Sequence, residues 1–156
     1  MIKNIRIIIL SGLIYLIFLF FEIYLSGFFI GKPSIDLLLL FLIELMFVAP
    51  FWWLLILIIL RGIIFDSLSG MNWGANLISL LVTFILGYYL LNIFSKESFW
   101  TKLVIGSVMI SIYFSVLLII NIVWFKSLFN FLIWIDLIVN LMIFILINLV
   151  YEKFKK

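Results

Sequence analysis

LRGIIFDSLSGMNWGANLISLL, residues Leu60 to Leu81, puts an arginine and an aspartate into a helix that is otherwise apolar, then breaks it at a glycine turn. The surroundings say which solvent this helix sees. Of 156 residues 69% are hydrophobic and 11% charged, and the mean hydropathy is +1.48. A soluble domain of this size cannot bury that much apolar surface, so lipid is the solvent. Charges inside such a chain are costly, by about 3 kcal/mol each on insertion scales, and so belong to the interior of a helix bundle. Residues 60–81 thus mark both the fold and the place to look for function.

Composition excludes several classes. With no cysteine and no histidine, the chain offers no disulfide, thiol or imidazole chemistry and none of the usual zinc or haem ligand sets. No metal or cofactor is expected. The net charge is only +3, and the basic residues lie mostly at the two ends and in short connections, which argues against a nucleic-acid binder. The remaining chemistry belongs to seven carboxylates.

The apolar segments predict helices over about 7–29, 35–48, 52–66, 72–94, 99–121 and 131–150. Basic residues before the first run suggest a signal peptide, but the run is too long and no A-x-A-like site follows, so a retained first helix is expected. No connection is long enough for a soluble domain, and residues 1–156 read as one membrane domain. Residues 35–64, with Pro50 near the middle, read either as one kinked helix or as two short ones. The positive-inside rule favours two. A hairpin at Val48–Trp53 places both termini in the cytoplasm with Lys3, Arg6, Lys96, Lys102, Lys153, Lys155 and Lys156, and only Lys32 and Lys126 outside. Trp52 and Trp53 would anchor the turn at the interface.

Helix faces follow from spacing. Ser11, Tyr15, Glu22 and Ser26 share a stripe on the first helix, as do Asn72, Asn76, Ser79, Thr83 and Gly87 on the fourth. Ser107, Ser111 and Ser115 form a small-residue row that predicts close helix approach. Gly27 and Gly31 read as parts of a loop rather than a dimerisation face. In depth, Glu22, Asp36, Asp66 and Asp136 map to the outer half and Glu44 toward the inner side. Arg61 and Asp66 are about 140° apart around their helix and do not pair; Glu22 and Asp136 are the expected partners of Arg61. Asp66, unfavourable at a helix C-terminus, is better placed capping backbone donors, pairing with a cation or binding a partner. Glu22, Arg61, Asn76, Asp136 and Asn140 make up the expected intramembrane polar network. Its residues read first as a network of ion pairs fixing helix register, and second as a pocket open to the outer side.

Gly62, Asp66, Ser69, Gly70 and Gly74, at the spacing they have here, resemble the core signature of the MreD family. The basic N-terminus, the proline at the entry to the second helix, the leucine-rich run after it and the basic C-terminus are similar as well. The resemblance implies a multi-pass, non-catalytic protein of the bacterial cytoplasmic membrane that serves cell shape. Its expected partner is MreC, with MreB, RodA and a penicillin-binding transpeptidase contacted indirectly during lateral peptidoglycan synthesis. A homodimer stays open. The resemblance also implies a fold similar to the six-helix substrate-binding subunits of energy-coupling-factor vitamin transporters, and such a subunit is the alternative function. An intramembrane aspartyl protease using Asp66 and Asp136 fits less well, because Gly62-Ile63-Ile64-Phe65 stands where those proteases carry Gly-x-Gly before the aspartate.

Overall fold

The computed structural model describes residues 2–26, 35–69, 74–94, 98–125 and 131–155. All regular structure in these residues is α-helical, in the order α1 (Ile2–Ser26), α2 (Leu37–Met46), α3 (Phe51–Ser69), α4 (Ala75–Ile93), α5 (Phe99–Phe125) and α6 (Phe131–Lys155). Five are long and apolar enough to cross a membrane, and α2 is a shorter apolar helix. Ile9, Phe20, Ile85, Val104 and Leu146 all point outward, as apolar side chains do when lipid surrounds the bundle.

The run with Pro50 is two helices. The first closes through Val48 and Ala49 N–H groups donating to the Leu45 carbonyl, and the Pro50 carbonyl accepts from Trp53 and Leu54 to start the next. Proline fits there because it has no N–H to leave unsatisfied and its fixed φ suits a helix start. Successive helices run antiparallel, and α1 lies parallel to α3, with the Tyr15 hydroxyl donating to the Leu57 carbonyl at 3.1 Å.

The short helix is the centre of the core. At ten residues α2 spans only about 15 Å, half the hydrocarbon thickness. Leu38, Leu39, Leu42 and Ile43 are fully enclosed by protein, and Tyr15, Leu54, Ile58, Met109 and Tyr113 are buried in the same cluster. An element this short cannot be held by lipid matching at both ends. Its two ends are instead held by polar side chains, which is where the candidate site lies.

Several expectations need correcting. The predicted bounds 35–48 and 52–66 become 37–46 and 51–69, because Asp36 caps the first helix and the second continues one turn past Asp66. Trp53 turns toward the bundle rather than outward: it is half-buried and its indole donates to Ser11 Oγ at 3.0 Å, while Trp52 does face outward. The serine row on α5 does not mark the closest helix approach. Ser107, Ser111 and Ser115 line an open groove of about 570 Å³ with Leu141 and Ile145, and the tight contact is at Gly106, where the Phe144 ring occupies the space of a Cβ. The α4 stripe, by contrast, packs as its spacing suggests: Ser79, Thr83 and Gly87 are buried on one side, and Ser79 and Thr83 donate to the Ala75 and Ser79 carbonyls of their own helix. Ser26 and Ser69 have no described side chain, and Gly27, Gly31, Gly70, Asn72 and Lys32 lie outside the described residues.

Candidate functional site

The α3–α4 hairpin is built by three residues of the glycine-aspartate pattern. Gly62 lets the helices touch, since a Cβ there would fall 2.7 Å from the Leu77 Cα. One turn on, Asp66 reaches across to the start of α4, and its Oδ1 accepts from the Asn76 N–H at 2.9 Å and from Asn76 Nδ2 at 3.1 Å. Its Oδ2 accepts from the Leu77 N–H at 3.2 Å. These are donors that a helix start leaves unsatisfied, and they lie at the positive end of the α4 dipole. Gly74, at φ +89°, supplies the left-handed residue before α4 that a side chain would strain. Asp66 therefore caps the next helix rather than its own, and it is only 3% exposed. Asp66→Ala is expected to lower stability by about 1–2 kcal/mol through loss of the cap, read as a fall in thermal midpoint in detergent.

The second group surrounds the start of α2. Asp36 is its N-cap, with Oδ1 accepting from the Leu39 N–H at 2.7 Å, and Glu22 from α1 accepts from the Leu38 N–H at 3.1 Å. Arg61 comes from α3 to lie between them: Nη2 is ion-paired to Asp36 Oδ2 and stands 3.8 Å from Glu22 Oε1. The guanidinium is 2% exposed and lies against two rings, 5.1 Å from the Phe65 centroid and 5.6 Å from that of Tyr113. Nε and Nη1 have no hydrogen-bond partner among the described residues. Asn140 on α6 closes the cluster, its Oδ1 accepting from the Asp36 N–H at 2.8 Å while its amide donates to the Asp136 carbonyl.

Tyr113 joins the two groups. Its hydroxyl donates to Asn76 Oδ1 at 3.0 Å, so a polar path runs from Asp66 through Asn76 and Tyr113 to Arg61, Asp36 and Asn140. Five helices, α2 to α6, contribute to it, and α1 adds Glu22. Two carboxyl groups share one arginine here, and both also accept from N–H groups at the α2 N-terminus, the positive end of its dipole.

The other end of α2 repeats the device. Glu44 is ion-paired to Lys102 of α5 and accepts from Asn148 Nδ2 of α6 at 2.7 Å. Asp36 and Glu44 are separated on α2 by the same interval as Asn140 and Asn148 on α6, so two parallel helices meet in register at two points. Each contact uses an asparagine, which can donate or accept without adding charge.

Of the expected network, Glu22, Arg61, Asn76 and Asn140 come together with Asp66. Asp136 contributes its backbone carbonyl to Asn140, and the carboxyl groups found on Arg61 are the expected Glu22 and, nearer, Asp36. Tyr113 and Lys102 were missed: a tyrosine in an apolar helix and a lysine near a helix start carry no distinctive spacing. Among the described residues no group of carboxylates is arranged to hold a metal ion. Compared with known proteins, the chain matches no family, no curated protein and no solved structure.

Proposed function

We propose that this chain is an MreD-like membrane scaffold, bound to an MreC-like single-span partner and supporting lateral peptidoglycan synthesis from the bacterial cytoplasmic membrane. One observation carries the reading: three of the five residues that make up the resemblance act in a single physical device. Gly62 sets the helix contact, Asp66 caps α4, and Gly74 supplies the turn conformation, so the spacing follows from one hairpin. A chance match of glycines and an aspartate has no reason to converge on one joint. In this reading the hairpin is internal support, and the partner meets the outward-facing helix surfaces. The distribution of charge supports an orientation with both termini in the cytoplasm, since Arg6, Lys102 and Lys153 lie at one end of the bundle and Glu22, Asp36, Asp66 and Asp136 in the other half.

The rival reading, a substrate-binding subunit of an energy-coupling-factor type transporter, is favoured by a different observation. Arg61 keeps two buried N–H nitrogens without a hydrogen-bond partner among the described residues, as a residue waiting for an anionic ligand would. Against it, the carboxylates around Arg61 hold helix ends. Affinity purification of the tagged chain from its own membranes separates the two. Recovery of an MreC-like protein is the expected result; recovery of a transport ATPase pair, with no wall-synthesis protein, overturns the scaffold reading.

A further inference from the structure

On the Glu44 side of the bundle α1 packs against α2 and α3, and α6 against α5, leaving a groove between α1 and α6 with α2 as its floor. The groove holds about 390 Å³ and changes character along its length. Toward the middle of the bundle it is lined by apolar side chains such as Ile14 and Phe41. Toward the bundle end it meets Lys102, Glu44, Asn148 and Tyr151. The Lys102 side chain is 24% exposed, and its ammonium lies 5.3 Å from the Phe47 ring and 5.7 Å from the Tyr151 ring.

The same end carries an excess of positive charge. Arg6, Lys102 and Lys153 belong to its helix turns, against Glu44 and Glu152, and Arg6 and Lys153 are exposed. Glu44 alone does not balance this set. A ligand suited to the groove has an apolar chain reaching toward Ile14 and Phe41 and a headgroup of net negative charge at the level of Lys102 and Tyr151. We infer that the α1–α6 groove is a binding site for one anionic phospholipid, its acyl chain between the helices and its phosphate beside Lys102. The inference does not depend on the scaffold reading, because it uses none of the hairpin residues. The lipid fills a gap that α2 is too short to close, and its phosphate adds a counter-charge for a basic helix end.

Native mass spectrometry of the detergent-purified chain, given phosphatidylglycerol or phosphatidylcholine with identical acyl chains, tests it. The wild-type chain is expected to retain one phosphatidylglycerol at least about fivefold better than phosphatidylcholine, as electrostatic recognition at a half-buried lysine requires. Lys102→Gln should bring the two lipids to within about twofold of each other, since the cationic part of the site is then gone. Ile147→Trp, an exposed position facing the groove, should reduce retention of both by filling the space, and it decides the matter if Lys102→Gln does not fold. Equal retention of the two lipids by the wild type, or retention of phosphatidylglycerol unchanged in Ile147→Trp, overturns the proposal. So does a protein helix found in the groove in place of lipid.

Discussion

Arg61→Ala is expected to cost about 3–5 kcal/mol of unfolding free energy, the range for removing one partner of a buried ion pair. The loss comes less from the missing attraction than from what stays behind. Asp36 and Glu22 would remain enclosed at the start of α2, close to each other and without a cation. Fluorescence of the six tryptophans during unfolding in mixed micelles reads the change. Arg61→Lys should recover only part of it, because one ammonium cannot serve both carboxylates and lie between two rings as a planar guanidinium does. A loss under about 1 kcal/mol in Arg61→Ala would mean that the cluster is solvated and not part of the core.

Gly62→Val should have the next largest effect, about 2–5 kcal/mol when overpacking and the weakened cap are taken together. The atom in the way is the Leu77 Cα, which no rotamer change can move, so α3 and α4 must separate and carry Asp66 away from the Asn76 and Leu77 N–H groups. Gly12→Ala is the control. Its Cβ would lie 3.3 Å from Trp53 Cζ2, a side-chain atom that can give, and the loss should stay within about 1 kcal/mol. Equal thermal midpoints for the two variants would contradict the close contact at Gly62.

The class of fold was legible because apolar runs of membrane length need no tertiary information to recognise. Residue depth was legible too, and it placed Glu22, Asp36 and Asp66 in one half of the bundle. What depth does not give is the rotation of each helix and the choice of neighbour. Arg61 was expected to meet Glu22 or Asp136, yet Asp36 is nearer because α2 is short and begins at Arg61's level. The equal spacing of Asp36 and Glu44 with Asn140 and Asn148 is visible in the sequence. It carries meaning only once α2 and α6 are known to run parallel. The serine row misled for a related reason: small residues permit a close approach, and the neighbour with the right shape, Phe144, met Gly106 instead. The role of Asp66 was among those open to a carboxylate at that position, and the start of α4 decided between them.

The central claim is that the charged residues inside this bundle form one buried structure organised on α2. A double-mutant cycle between Asp36 and Arg61, using Asp36→Asn, Arg61→Met and the double variant, tests it most directly in unfolding free energy. A buried pair predicts a coupling of about 2–3 kcal/mol, with the double variant markedly less destabilised than the two single losses added together. Single losses that add to within about 0.5 kcal/mol would show that Asp36 and Arg61 act independently, and would contradict the account.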